Sequence, residues 1–153
     1  MARTIAIACD HAALDLKGEI IKYLEANGVE YVDYGTYTPD SCNYPDYAEK
    51  VCKAVYDGTQ DMGILVCGTG IGMSMAANKC RGIRAALCSD TFSAKFTRLH
   101  NDANVLCMGA RVLGAGLALE IVDMFINTEF EGGRHQNRVD MITALENKLA
   151  NNI

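Results

Sequence analysis

The stretch ILVCGTGIGMS, residues 64–74, places a thiol directly before a glycine-rich loop. Cys67 ends an apolar run, and three glycines follow at alternate positions. They are Gly68, Gly70 and Gly72. This spacing differs from the G-x-G-x-x-G of dinucleotide-binding loops, and no Lys-Ser/Thr follows as in a P-loop. Met73 stands where a thiol phosphatase loop has arginine. What remains is a strand–loop–helix turn whose N–H groups are suited to an anion, or a tight turn that simply requires glycine.

Cys67 is suited to chemistry because it lies at the positive end of the predicted helix. Such a position stabilises an accessible thiolate, which can attack, bind a metal or accept a proton. Packing as a small hydrophobe is the remaining alternative. The seven cysteines form no C-x-x-C pair, and their number is odd. We therefore expect free thiols in a reducing cytoplasm, with Cys9, Cys88 and Cys107 in the core.

The chain has three histidines, each near the end of a predicted element. They are His11, which follows Asp10, His100 in RLHNDAN, and His135 in GGRHQNR. No H-x-x-x-H pair and no clustered carboxylate–histidine set is evident, so we expect no metal site. Arg134 and Arg138 are four residues apart and share one face of a helix. They form either a phosphate clamp or a solvated pair.

Short apolar runs alternate with amphipathic patterns along the whole chain. The predicted strands cover residues 4–8, 29–34, 62–66, 83–88 and 105–108. Apolar residues at the spacing of one helix face are Leu16, Ile20 and Leu24; Tyr47, Val51 and Val55; Leu117, Ile121 and Phe125; and Val139, Ile142, Leu145 and Leu149. This alternation predicts a single α/β domain over residues 1–153. It is a three-layer α/β/α sandwich around a five-stranded parallel sheet of Rossmann-like type, with a C-terminal helix from about 134–150.

In a sheet of this kind, ligands bind beyond the carboxyl ends of the strands, near the point where strand order reverses. That rule selects the segments CDH (9–11), CGTGIG (67–72), CSD (88–90) and GAR (109–111). The connection YGTYTPDSCNYPD at 34–46 is long for a compact α/β unit, so we expect it to cover a substrate.

Charge and hydropathy disfavour large anionic partners. The net charge is −5 and no basic cluster of five or more residues occurs, so neither nucleic acid nor an anionic membrane is expected to bind. No apolar run reaches the roughly 20 residues that a membrane span requires. The start MARTIAIACDH differs from a signal peptide. These features predict a cytoplasmic protein with a small-molecule ligand.

Five segments of the chain are familiar when they are taken together. They are IACDHAALDLKGEI, YPDYAEKV, ILVCGTGIGMSMAANKCRGIRAALC, HNDANVLCMGARV and FEGGRHQNRV. In order and over nearly the full length, they resemble the ribose-5-phosphate isomerase type B family, which includes allose-6-phosphate and galactose-6-phosphate isomerases. The resemblance implies an aldose–ketose isomerase of the pentose phosphate pathway. Such an enzyme works through a cis-enediolate without metal or organic cofactor.

The resemblance also implies a role for each matching residue. Cys67 would move the proton between C1 and C2 of the sugar with help from Thr69, and His100 would donate the proton that opens the furanose ring. The implied substrate contacts are Asp10, His11, Gly68, Thr69, Gly70, Ile71, Gly72, Asn101, Arg111, Arg134 and Arg138, and Asp10 also belongs to the catalytic set. One branch of the family has a glutamate in this loop. No acidic residue lies between Gly68 and Ala77 here, so the chain resembles the cysteine branch.

The direction of the fourth predicted helix separates two parts of the implied site. That helix runs back from the carboxyl edge of the sheet, so His100 and Asn101 should emerge at the amino edge, opposite Cys67. We therefore expect a homodimer with shared active sites, and the pairing of dimers into a tetramer stays open. The expected reaction interconverts D-ribose 5-phosphate and D-ribulose 5-phosphate. The alternatives are a six-carbon substrate, allose 6-phosphate or galactose 6-phosphate, and a non-catalytic sugar-phosphate sensor.

Overall fold

The computed structural model describes residues 3–150, with side chains through residue 148. The strands are β1 (Ile5–Cys9), β2 (Tyr31–Asp33), β3 (Met62–Cys67), β4 (Ala85–Leu87) and β5 (Val105–Gly109). The helices are α1 (Leu14–Ala26), α2 (Tyr44–Tyr56), α3 (Ile71–Ala77), α4 (Thr91–Asn101), α5 (Ala115–Asn127) and α6 (Arg134–Ala150). Within these residues, no helix is both long and apolar enough to cross a membrane.

The five strands form one parallel sheet in the order β2-β1-β3-β5-β4. This confirms the predicted sheet. The two edge strands, β2 and β4, are shorter than the predicted runs 29–34 and 83–88. Each of them pairs on one side only, so fewer of their residues are held in the ladder.

Helices cover both faces of the sheet, as predicted. On one face, α1 and α5 bury Ile20 and Phe125 against the strands; on the other, α2 and α3 bury Val51 and Met73. One predicted core position in α5 is wrong. Leu117 is 40 % exposed, because the buried stripe of α5 runs through the neighbouring Ala118 instead.

Helix α6 has the predicted bounds but not the predicted burial. It packs beside α4 and buries Val139, whereas Ile142 and Leu145 are 48 % and 57 % exposed. The side chain of Leu149 lies outside the described residues. The apolar face of α6 is therefore left largely uncovered by its own chain.

Both ends of α4 are fixed by side chains. At its start, the carboxylate of Asp90 accepts the N–H of Ser93 at 2.6 Å, and this bond holds the pKa of Asp90 below its usual value of 3.8. Near its end, the buried guanidinium of Arg98 donates to Asp102 at 2.8 Å and to the carbonyl of Ala103 at 2.5 Å. These contacts set where the last turn of α4, which carries His100, lies against the sheet.

Candidate active site

The strands β1 and β3 lie side by side in the sheet. After β1 the chain continues toward β2 on one side of this pair, and after β3 it continues toward β4 on the other side. The N–H of Asp10, directly after β1, donates to the carbonyl of Val66 in β3 at 3.1 Å. The loops that begin at Asp10 and Cys67 are therefore neighbours at the carboxyl edge. This is the reversal of strand order where parallel α/β sheets bind ligands.

The loop after β3 folds back over the thiol that begins it. The N–H of Gly70 donates to Sγ of Cys67 at 3.1 Å, and the N–H of Ile71 donates to Oγ1 of Thr69 at 3.3 Å. Cys67 is 5 % exposed, less than the accessible thiol that the sequence predicted, because the loop covers it. The sulfur therefore faces a backbone N–H group inside the loop.

The backbone of this loop lies so close to β5 that only glycine fits at the point of contact. Gly70 has a φ of 77°, and a methyl group there would lie 2.7 Å from the carbonyl carbon of Met108. A methyl group on Gly109 would lie 2.6 Å from the carbonyl carbon of Thr69. The two backbones pack directly on each other, and this contact fixes the loop above the end of the sheet.

Tyr44 is part of this edge and was not predicted from the sequence. Its ring comes from the start of α2 and lies against Gly72, where a methyl group would be 2.7 Å from the ring. The side chain of Tyr44 is partly exposed. The tight Gly72 contact has no signature in the sequence, since it joins residues from different elements.

Asp10 and His11 line the other side of the same edge. The carboxylate of Asp10 is almost buried and accepts the N–H of Ala12 at 2.9 Å. Nδ1 of His11 accepts the N–H of Cys42 at 3.3 Å, so this nitrogen is the acceptor and Nε2 carries the proton in the neutral ring. The 34–46 connection thus reaches the edge through Cys42.

A buried ion pair anchors the beginning of that connection. Nζ of Lys17 lies 2.9 and 2.8 Å from the two carboxylate oxygens of Asp33, and donates to the carbonyl of Thr36 at 2.7 Å. The N–H of Cys9 donates to the carbonyl of Gly35 at 2.7 Å. The segment is therefore held at its base by α1 and β1.

Arg111 lies at the carboxyl edge as well. Its N–H donates to the carbonyl of Gly68 at 3.0 Å, and a methyl group on Gly68 would lie 3.4 Å from the Nη1 atom of Arg111. The side chain is exposed. Its guanidinium is available to a ligand anion at the glycine loop.

The remaining predicted residues form a second group. Asn101 ends α4 and lies four residues before β5 starts, which puts it and His100 toward the amino edge. Arg134 and Arg138 open α6 on the same side, because the rings of His100 and His135 stack with centroids 4.1 Å apart. Nη1 of Arg138 donates to the carbonyl of Arg134 at 2.9 Å.

This second group contains a carboxylate–histidine cluster that the sequence analysis had not expected. Oε2 of Glu131 lies 3.4 Å from Nε2 of His135 and 3.9 Å from Nε2 of His100. The expectation that no such set occurs is wrong, because His100 comes from a different helix and only folding brings it to the other two. The E-x-x-x-H spacing of Glu131 and His135 was the available signal.

No hydrogen bond, ion pair or ring contact described for residues 3–150 joins the two groups. Asp10, His11, the 67–72 loop and Arg111 are brought together at one edge. The other group comprises His100, Asn101, Arg134 and Arg138. The direction of α4 predicted this separation for His100 and Asn101, and the structure adds both arginines to their side.

The other cysteines are free, and most are packed in the core. Burial raises the pKa of Cys9 to about 12 and that of Cys88 to about 11. The predicted core positions Cys9, Cys88 and Cys107 are confirmed as buried. Thiols in such surroundings are poor nucleophiles and poor bases at neutral pH.

The fold and this carboxyl edge define a parallel α/β protein with a thiol and a glycine loop where sheets of this type bind ligands. The chain belongs to the ribose/galactose isomerase family, whose model matches residues 5–142. It is 51 % identical to ribose-5-phosphate isomerase B of Escherichia coli over 146 residues, which cover 95 % of this chain and 98 % of that protein. It is 47 % identical to D-erythrulose-4-phosphate isomerase of Pectobacterium atrosepticum over 147 residues, covering 95 % and 96 %.

Solved structures agree with this assignment. Ribose-5-phosphate isomerase B of Clostridium thermocellum superposes with a TM-score of 0.94 at 49 % identity, covering 95 % of this chain and 99 % of that one. The enzyme of Mycoplasma genitalium with bound ribulose-5-phosphate superposes with a TM-score of 0.92 at 42 % identity, covering 96 % and 98 %.

Proposed function

We propose that the protein interconverts D-ribose 5-phosphate and D-ribulose 5-phosphate through a cis-enediolate, without a metal or organic cofactor. The observation that carries this proposal is the hydrogen bond from Gly70 to the sulfur of Cys67 at the carboxyl edge. It identifies a thiol that is held near fixed backbone donors, in a family of sugar isomerases.

Cys67 acts as the base. Its thiolate removes the proton from C2 of the open-chain aldose, the C–H electron pair forms the C1=C2 double bond, and O1 takes the negative charge. A proton passes from O2 to O1, and the hydroxyl of Thr69 assists this transfer. Cys67 then returns its proton to C1 as the O2 carbonyl forms. Proton abstraction next to a carbonyl requires such a poised base.

Backbone donors stabilise the enediolate. The residues of the loop are Gly68, Thr69, Gly70, Ile71 and Gly72. Their N–H groups lie at the start of α3, where charge developing on O1 and O2 would meet them. Because the loop packs on β5, its backbone needs little reorganisation during the reaction. The N–H groups of Gly70 and Ile71 exchange their bonds to Cys67 and Thr69 for bonds to the substrate. Asp10, His11 and Arg111 contact the substrate from the same edge.

The partner subunit of a homodimer supplies the remaining groups. His100 protonates the ring oxygen to open the furanose, Asn101 binds the sugar, and Arg134 and Arg138 bind the phosphate. The separation of these residues from Cys67 within one chain supports this arrangement. The exposed apolar face of α6, which includes Ile142, supports burial against a second copy. Pairing of two dimers into a tetramer is compatible with the same contacts.

Hydrogen exchange distinguishes the base from the ring-opening acid. Ribulose 5-phosphate is acyclic, so exchange of its C1 proton with D₂O requires proton abstraction but no ring opening. We expect Cys67→Ala to abolish this exchange and His100→Asn to retain it while losing turnover of the cyclic aldose. Exchange at the wild-type rate in Cys67→Ala would overturn the assignment of the base.

A mixing experiment tests the shared site. In a fully exchanged equal mixture of Cys67→Ala and His100→Ala chains, half of the dimers are mixed, and each of these has one intact site. About one quarter of wild-type activity should therefore return. No recovery, with subunit exchange verified by native mass spectrometry, would show that each chain uses its own His100.

A second candidate is an isomerase of a sugar phosphate with a different chain length. The family description includes galactose, and the Pectobacterium relative is named for a four-carbon substrate. Turnover measured on four-, five- and six-carbon aldose phosphates decides between them, and the ratio of kcat/KM values ranks the substrates. A non-catalytic sensor would bind these sugars without proton exchange and would tolerate Cys67→Ser.

A cytoplasmic location completes the proposal. All seven cysteines are free, which fits a reducing compartment.

A further inference from the structure

We propose that His100, Glu131 and His135 form a binding site for a divalent transition metal ion, with Zn²⁺ as the ion that fits best. Occupation of this site inhibits the enzyme by withdrawing His100 from its role. The inhibition rests on the function proposed above, whereas the binding does not.

The spacing of the three side chains is close to that of a zinc site. One ligand atom from each residue lies within 4.8 Å of the other two. Bond lengths of about 2.0–2.1 Å in tetrahedral geometry place neighbouring ligand atoms about 3.3 Å apart. The Glu131–His135 separation of 3.4 Å already meets this value, and the Glu131–His100 separation of 3.9 Å requires a shift of about half an ångström. Two histidines and one carboxylate with an open position are a common zinc set.

The backbone holds these groups together before any metal arrives. The N–H of Glu131 donates to the carbonyl of Leu99 at 3.1 Å, which ties the segment to the last turn of α4. The ring of His100 lies between His135, stacked at 4.1 Å, and Phe96, edge-on at 5.0 Å. A metal therefore orders little additional backbone, and the main cost of binding is the separation of the two stacked rings.

The cluster is open to solvent on one side. The side chain of His135 is 11 % exposed, that of His100 35 % and that of Glu131 51 %. A metal ion can enter from the Glu131 side, and a water molecule can complete the coordination. The carboxylate faces both Nε2 atoms. Because the two imidazole rings are stacked nearly parallel, at least one of them must turn out of the stack before both nitrogens point at a common centre.

The neighbouring cations weaken the site. Arg134 and Arg138 lie in the same helix as His135, and their guanidinium groups repel a metal ion. The affinity should therefore be weaker than that of a structural zinc site.

The donor set selects the class of metal. Imidazole suits Zn²⁺, Co²⁺ and Ni²⁺, whereas Mg²⁺ and Ca²⁺ require mostly oxygen ligands. Mg²⁺ should therefore neither bind here nor inhibit.

Direct binding tests the site without reference to activity. Equilibrium dialysis with Zn²⁺ and a non-thiol reductant is compared for the wild type, Glu131→Gln, His135→Gln and the control His11→Gln. All cysteines are retained, so any zinc held by thiols is common to the four proteins. Glu131→Gln and His135→Gln should each lower the Zn²⁺ affinity of this site more than roughly tenfold, because even the loss of an outer-shell partner has an effect of that size. The zinc binding of His11→Gln should equal that of the wild type. Equal zinc binding in all four proteins would overturn the proposal.

Spectroscopy and kinetics complete the test. Co²⁺ should give a four-coordinate visible spectrum in the wild type that is absent from Glu131→Gln. Zn²⁺ should inhibit wild-type isomerisation reversibly with EDTA, and should inhibit Glu131→Gln less, each measured against its own metal-free rate. Zinc binding without inhibition would overturn the inhibitory role alone. A protein without isomerase activity would refute the proposed function, and the dialysis result would still decide the metal site.

Discussion

Replacement of Gly70 by alanine perturbs the contact between the glycine loop and β5. The new methyl group would lie 2.7 Å from the carbonyl carbon of Met108 and 2.9 Å from its oxygen. These are backbone atoms of a central strand, and they cannot move aside as a flexible side chain would. The methyl group would also lie 2.6 Å from Cδ1 of Leu87, which can rotate. Gly70→Ala must therefore displace the loop or the strand.

The expected cost has two parts. A residue with a side chain at a φ of 77° is strained by about 1–2 kcal/mol. Overpacking in a tightly packed region costs a further 1–3 kcal/mol or so. We expect the free energy of unfolding to fall by about 2–5 kcal/mol, which corresponds to a decrease in Tm of roughly 4–20 °C for a chain of this size.

Urea titration at one fixed protein concentration measures this loss, since the unfolding of an oligomer depends on concentration. Gly18→Ala is the matched control, because Gly18 lies within α1 and a methyl group there meets no atom within 4 Å. That substitution should stabilise the protein by about 0.5–1 kcal/mol through helix propensity. Wild-type stability in Gly70→Ala, or equal losses in both variants, would refute the reasoning.

Three further predictions concern other parts of the chain. Lys17→Met leaves the carboxylate of Asp33 without its buried cation, so the free energy of unfolding in urea should fall by about 3 kcal/mol. Asp90→Ala should destabilise the protein near neutral pH. Because the pKa of Asp90 is lowered in the folded state, its contribution is present above its usual value of 3.8 and is lost as the pH falls through the lowered pKa, so the unfolding curves of variant and wild type should converge in acid. Iodoacetamide at neutral pH should modify Cys67 faster than Cys88, whose pKa burial raises to about 11, and substrate should slow only the first reaction.

Each of these predictions has a control in the same chain. Lys22→Met removes an exposed lysine paired with Glu19 and should leave the unfolding curve nearly unchanged; an equal effect at both lysines would contradict the role of burial. Asp90→Asn keeps a helix-capping group but has no titrating charge. If the stability difference between Asp90→Asn and the wild type persisted in acid, that would contradict the proposed link between stability and the ionisation of Asp90. Cys80 is partly exposed and serves as an internal standard in peptide mapping, because substrate should not protect it.

The sequence predicted the sheet, the helices and the edge at which the glycine loop lies, because these depend on local periodicity and on a general rule for parallel sheets. The lengths of the edge strands β2 and β4 were overestimated, since apolar pattern does not show which strands have only one neighbour. The uncovered face of α6 was missed for a related reason: a pattern shows that Ile142 and Leu145 are apolar, not what buries them.

The site was predictable where its residues adjoin in sequence. Cys67 and its loop are one continuous stretch, and Asp10 precedes His11. The contact of Tyr44 with Gly72 and the cluster of His100 with Glu131 join separate elements, so only the packing of the folded chain reveals them. The direction of α4 alone was enough to predict that Cys67 and His100 lie at opposite ends of the strands.

The packing of the glycine loop on β5 has a consequence for the thermodynamics of ligand binding. Residues 68–70 are held in place through Gly70 and Gly109 in the ligand-free chain. Ordering three backbone residues only when a ligand arrives would cost roughly 3–6 kcal/mol of conformational entropy. Since that cost is met during folding, binding keeps a factor of about a hundred to ten thousand in affinity that a flexible loop would lose.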